Sequence, residues 1–248
     1  MLHLPTVQDH LRQYVDAGFP ILYICTYEEA KADQYIASAA GRREVLEWNG
    51  ADGLVNFETK TPLVSGQTLE ATLTFLKTGK ELNRKLLVIK DADEQLNPNG
   101  QRKSDKVIAL LKEIARKIRK ENGGIDATVI IVSSVLHIPQ ELEKLITVLE
   151  LDLPDEVEIG RIIDQFAQDN EISAGATDFR AELITAFKGV SESEIKDLLS
   201  LAVSQDGELT KKALQLIFDQ KQQMILKAGI LEMIPLKESV ADIGGLEI

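Results

Sequence analysis

The stretch KLLVIKDADEQL, Lys85 to Leu96, constrains this chain more than any other. Leu86 to Ile89 run apolar without a polar break and then stop at charge. A short run of this kind predicts a strand buried on both faces, as parallel sheets contain. Such a strand needs helices above and below it, so a layered α/β core is expected. Asp91, Asp93 and Glu94 follow just past its carboxyl end, where open α/β sheets bind ligands. Two such carboxylates could hold a metal. They could equally be the solvated charge on which any buried strand ends, and the rest of the chain has to decide.

The totals narrow the function classes. The 248 residues suffice for one large domain or two smaller ones. Lys and Arg number 28 against 40 Asp and Glu, a net charge of −12. That argues against nucleic acid or an anionic membrane as the main partner, because both need clustered cations. A single cysteine, Cys25, allows no internal disulfide and suits a reducing, cytoplasmic setting. His3, His10 and His137 lack metal-ligand spacing, so no metal site is expected. No apolar run approaches the ~20 residues of a membrane span. The N-terminus lacks the blocks of a signal peptide.

Along the chain, strand and helix signals alternate. A helix is predicted over Thr6 to Ala17, with Val7, Leu11 and Val15 on one face and Gly18 as its stop. Pro20 to Cys25 reads as a buried strand, and Thr26 to Ala40 as a helix. Glu44 to Trp48 is a second strand, with Trp48 read as strand-end packing. Gly50 to Gly66 reads as loop with a short strand near Leu54 to Phe57, and Leu69 to Leu76 as a short helix. Ser104 opens a long helix to about Lys120, buried through Val107, Leu110, Leu111, Ile114 and Ile118. Lys112, Arg116, Lys117, Arg119 and Lys120 crowd its second half, either as an anion-binding patch or as a solvated face that complements the helix dipole. Ala127 to Val132 is another apolar strand, Pro139 to Ile146 a short helix and Thr147 to Leu153 a last strand. The expectation is a parallel sheet of about five strands with flanking helices over residues 1–153. Beyond Leu153-Pro154 only amphipathic helix signals follow, at Asp155 to Asp169, Asp178 to Phe187, Ser191 to Val203 and Leu209 to Met224. A small all-helical domain is therefore expected over 154–224, with 225–248 as a linker.

Several stretches resemble the AAA+ branch of the P-loop ATPases, in the right order. LLVIKDAD looks like the Walker B strand, and Val129 to Ser134 resembles the sensor 1 strand. Leu149 to Phe166 is similar to the join between core and lid, and Phe187 to Ala202 to the lid signature. Val240 to Leu246, VADIGGL, looks like the segment that precedes the P-loop in these ATPases and lies against the nucleotide base. The layout resembles the AAA+ ATPases of cyanobacteria and plastids, which carry a degenerate module before a working one. The resemblance implies that this chain is the N-terminal part of a longer ATPase. The missing module would bind ATP and Mg²⁺, and Asp242, Gly244 and Gly245 would touch its nucleotide. It also implies a homo-oligomer, hexameric in the parent, an unidentified protein partner, and the plastid stroma as location if the gene is plastid-encoded.

The same resemblance implies that this module has lost its chemistry. A phosphate cradle needs a Gly-rich path of backbone N–H groups and a Lys, yet G-x-x-x-x-G-K-[S/T] is absent. In its place Cys25-Thr-Tyr-Glu-Glu-Ala30 passes almost directly into helix. Thr26 and Glu29 have capping-box spacing, and Glu28 and Glu29 would repel phosphate. Lys31 lies a turn inside, as a surface residue. Lys90 takes the place of the Mg²⁺ carboxylate and Asp91 that of the catalytic Glu, so a Lys90–Asp91 or Lys90–Glu28 pair is expected in the vacated site. Around Val135 and Leu136 there is no Asn or Thr for sensor 1, and no Arg finger lies between Pro139 and Leu151. No catalytic residue and no bound cofactor are expected in this fragment. Three functions compete: a non-catalytic module serving assembly or partner binding, a clamp-loader-like subunit contacting a clamp or DNA, and an enzyme using Asp91, Asp93 and Glu94. The first is preferred.

Overall fold

A computed structural model describes residues 6–227 apart from 79, 98, 120–123, 174–176 and 207. The chain divides into two compact units, the first ending at Asp152 and the second beginning at Leu153. Asp242, Gly244 and Gly245 lie outside the described residues.

The first unit runs α1 (Val7–Asp16), β1 (Ile21–Cys25), α2 (Glu29–Ala40), β2 (Glu44–Asn49), β3 (Gly53–Asn56), β4 (Pro62–Ser65), α3 (Leu69–Leu76), β5 (Lys85–Lys90), α4 (Asp93–Leu96), α5 (Asp105–Ile118), β6 (Ala127–Ser133) and β7 (Ile146–Glu150). The sheet order is β4-β3-β2-β5-β6-β1-β7. The five strands β2, β5, β6, β1 and β7 pair in parallel, while β3 and β4 continue the sheet antiparallel. The sheet therefore has seven strands, not five. Strand β3 falls where a short strand was expected near Leu54 to Phe57, and β4, in a stretch read as loop, forms a hairpin with it. The four residues of β4 are too few for a clear period-2 signal. Pro62 opens the edge strand, where its missing N–H costs no ladder bond.

Strand alternation sorts the core into two layers. Ile21, Tyr23, Leu87, Ile89, Val129 and Ile131 face α3, α4 and α5. Leu22, Ile24, Leu86, Val88, Ile130 and Val132 face α1 and α2. Gly53 joins β2 to β3 with φ +80°, and a Cβ there would stand 2.7 Å from the Gln67 nitrogen. Only glycine fits that turn.

Three boundaries move for local reasons. The Thr26 hydroxyl accepts the N–H of Glu28 at 2.9 Å, a tight side-chain turn in place of the expected capping box, so α2 starts at Glu29. Pro139–Leu145 form turns, not a helix: Leu142 N–H bonds Pro139 O and Leu145 N–H bonds Leu142 O. The fully buried Leu142 anchors them to the core. Asp93–Leu96, read as acidic loop, closes a single helical turn over the buried Leu96.

The second unit is α6 (Glu156–Asp169), α7 (Thr177–Phe187), α8 (Glu192–Asp206) and α9 (Lys211–Lys227) around its own core of Ile159, Ile163, Leu183, Phe187, Leu199 and Ile217. Asp155 and Glu158 form a complete capping box at α6. Helix α9 reaches Lys227, past the expected end at Met224.

Candidate functional site

The carboxyl end of β5 carries the unit's unusual chemistry. Lys90 continues the Leu86–Val88 side of the strand, so its stem enters the layer under α2, and it is only 7% exposed. Its ammonium lies 3.0 Å from both carboxylate oxygens of Asp33, 3.3 Å from Glu29 and 3.5 Å from Glu47. Asp33 stands one turn after Glu29 on α2, so both carboxylates share the face that looks at β5. Glu47 lies between Leu46 and Trp48 on β2 and is 3% exposed.

A second lysine closes the cluster. The β3–β4 turn is held by Asn56, whose side-chain oxygen accepts the N–H groups of Glu58 and Thr59. It presents Lys60, at φ +54°, to Asp33 at 3.1 Å and in a short contact to Glu47. The same ammonium sits 4.3 Å above the Phe57 ring. Burial alone would lower the Lys90 pKa, but the hydrogen bond it donates to Asp33 and the charges of Asp33, Glu47 and Glu29 outweigh it. The net direction is upward from the usual lysine value, so Lys90 is an ammonium at neutral pH. Two cations and three carboxylates thus fill the space between β5, β2 and α2.

The expected partners of Lys90 are corrected. Asp91 turns away with φ +57° and accepts the Gly50 N–H at 3.1 Å. Glu29 rather than Glu28 reaches the ammonium, together with Asp33 and Glu47, which sequence reasoning missed. A signal existed for each. Glu47 breaks a strand that is otherwise apolar at Leu46 and Trp48, and Asp33 follows Glu29 at i+4 beside the buried Ala32 and Ile36.

The other singled-out residues scatter. Tyr27 is 85% exposed at the β1–α2 turn. The indole of Trp48 is buried and donates to Gln67 O at 2.8 Å, which is packing at a strand end. Asp93 and Glu94 begin α4. Among the described residues no three His, Cys, Asp or Glu side chains group as metal ligands. The loop after β6 is fixed by backbone bonds. The buried Tyr23 hydroxyl donates to Val135 O at 2.6 Å and accepts the His137 N–H at 3.4 Å. Burial raises the Tyr23 pKa. Val135 and Leu136 themselves point outward.

Residues 7–151 match the model for the N-terminal domain of SpoVK-like AAA ATPases. The chain belongs to the SpoVK-like AAA ATPase family. Residues 157–228 match that family's second domain. The relatives it resembles include AAA domain-containing proteins named ycf46. The one from Guillardia theta is 29% identical over 93% of this chain and 44% of its own length. The one from Pyropia yezoensis is 25% identical over 96% of this chain and 46% of its own. This chain therefore spans about half the length of these relatives. Among solved structures, the fold is similar to the Thermotoga maritima RuvB Holliday junction branch migration motor, with TM-score 0.55, 13% identity and 87% of this chain against 68% of that one. C. elegans PCH-2 gives TM-score 0.56, 13% identity and 88% against 68%. The SpoVK-like chain thus has the AAA+ fold that its Walker B-like strand and lid signature suggested.

Proposed function

We propose that this SpoVK-like chain is a non-catalytic module of an AAA+ ATPase that acts in assembly, regulation or partner binding. ATP hydrolysis would belong to a second module of the parent, holding ATP and Mg²⁺. The single observation that carries the reading is the Lys90 ammonium among Asp33, Glu29 and Glu47. Aligned on the Walker B strand, it stands where the Mg²⁺ carboxylate belongs. A fixed cation there repels Mg²⁺, and it neutralises the carboxylates that a metal ion would otherwise balance. The β1–α2 connection supports the same reading: its first carboxylates, Glu28 and Glu29, oppose phosphate at a helix N-terminus. The parent would be a homo-oligomer in the cytoplasm, or in the plastid stroma where the gene is plastid-encoded. Among the described residues no helix is long and apolar enough to cross a membrane.

Titration calorimetry of the chain with millimolar Mg–ATP tests the proposal. No saturable heat is expected. Binding with a micromolar dissociation constant would overturn it.

A further inference from the structure

The carboxyl ends of β2 and β5 border a small cavity on the face of the sheet opposite the Lys90 cluster. Its volume is about 250 Å³, which suits a guest smaller than a drug-sized ligand. Trp48 and Leu69, both buried, form its apolar wall. Trp48 spends its indole N–H on Gln67 O at 2.8 Å, so it offers the cavity ring surface and no donor. Gly53 passes so close to Gln67 that a Cβ would stand 2.7 Å from the Gln67 nitrogen, which fixes that residue's backbone on the rim.

The polar lining favours a donor-rich cation. Gln67 Oε1 and Gln95 Oε1 are each shielded from bulk solvent and have no hydrogen-bond partner among the described residues. An unpaired, shielded acceptor is costly in a folded protein, so two on the wall of one small cavity call for an explanation. The last torsion of glutamine is soft, and a modest turn would carry either oxygen to a guest. Asp91 alone among the lining residues is ionisable. It holds a left-handed backbone at φ +57°, accepts the Gly50 N–H through Oδ2 at 3.1 Å, and leaves Oδ1 without a partner among the described residues. Its chain neighbour Lys90 is committed to Asp33, Glu29 and Glu47 on the other face. Nearby backbone donors are already used, the Ala51 N–H by Asn49 Oδ1 and the Gly66 N–H by Asp52 O. The amino end of α3 would favour an anion, but the Thr68 cap and Glu70 in its first turn already answer it.

We propose that this cavity binds a guanidinium group carried on a short apolar stem. The planar cation presents several N–H donors in one fork, which is what two amide oxygens and a carboxylate oxygen around one space require. Asp91 Oδ1 would take one N–H in a charge-assisted bond, Gln67 and Gln95 would take others, and Trp48 and Leu69 would line the stem. A metal ion is the poorer guest, because among the described residues no three His, Cys, Asp or Glu side chains group as ligands. The site shares no side chain with the Lys90 cluster, so it does not depend on whether nucleotide binds.

Fluorescence of the whole chain tests it, because Trp48 is the sole tryptophan. Titration with agmatine, a guanidinium on a butylamine stem, should change the emission saturably with a dissociation constant of about 0.1–1 mM, as expected for so few atoms. Putrescine, of equal charge but without the planar fork, should bind about tenfold more weakly. Asp91→Asn keeps an acceptor for Gly50 and tolerates the left-handed backbone while replacing the free oxygen by a donor, and should weaken agmatine about tenfold. Gln95→Met should weaken it to a similar degree, yet leave the thermal midpoint of the free chain equal or higher, because it removes a shielded, unpaired oxygen. A blocked Gly-Arg-Gly peptide distinguishes the source. Tighter binding than agmatine assigns the site to an arginine side chain and weaker binding to a free metabolite, and either supports the guanidinium site. No saturable change up to about 10 mM agmatine would overturn the proposal, as would equal affinity for putrescine or binding that both substitutions leave intact.

Discussion

In the proposed reading, the Lys90 side chain replaces a ligand site. Its neighbour Glu47 is shielded from water and Asp33 is partly so, so removing the ammonium leaves negative charge that, among the described residues, Lys60 alone opposes. Breaking such a buried pair typically costs ~3–5 kcal/mol. Lys90→Met should therefore lower stability by about 3 kcal/mol in urea denaturation, whereas Lys60→Ala should cost roughly 1 kcal/mol, because Lys60 is nearly half exposed and screened. The cluster also sets a pH limit. The Lys90 pKa is raised in the folded state, so its contribution is complete below the unfolded lysine value and fades as pH climbs through the folded one. The urea midpoint should hold up to about pH 10 and fall above it. Lys90→Met should make that alkaline decline shallower, leaving the share that the raised Tyr23 and Cys25 contribute. Equal alkaline declines in both proteins would show that Lys90 is not the titrating group.

At the scale of elements, two local devices position the site. Gly53 lets β3 turn close under Gln67, which places the Asn56–Lys60 turn beside Glu47. Gly53→Ala meets both a left-handed backbone and a backbone nitrogen, and should cost about 1–3 kcal/mol by thermal unfolding. The Asp155 cap of α6 is an independent case, where Asp155→Ala should cost ~1 kcal/mol. These elements also show what a sequence discloses. The parallel strands were readable because doubly buried segments must be continuously apolar, as LLVI, ILYI and TVIIV are. Helix α5 was readable because its cap Ser104 and its buried stripe are both local. Strand β4 and the turns at Pro139–Leu145 were not, since their few residues take shape from what they pack against. The partners of Lys90 were misassigned for the same reason. Sequence neighbours such as Asp91 and Glu28 are easy to nominate, while Asp33 lies 57 positions away and meets Lys90 only through the packing of α2 on the sheet.

At the scale of the molecule, the proposed reading combines the buried scaffold of an AAA+ unit with a lysine cation where a metal-bound nucleotide would bring one. A nucleotide-binding module gains stability from its ligand by mass action, whereas this one would hold the same space with its own side chains. The most direct test is thermal unfolding of the chain with and without about 5 mM Mg–ATP. A site of about 10 μM affinity would add roughly 3–4 kcal/mol at that concentration and raise the midpoint by several degrees. The account predicts no shift beyond that produced by an equal concentration of Mg²⁺ with an inert anion. A nucleotide-specific rise in the midpoint, abolished by substitutions at Thr26 or Glu29, would contradict it.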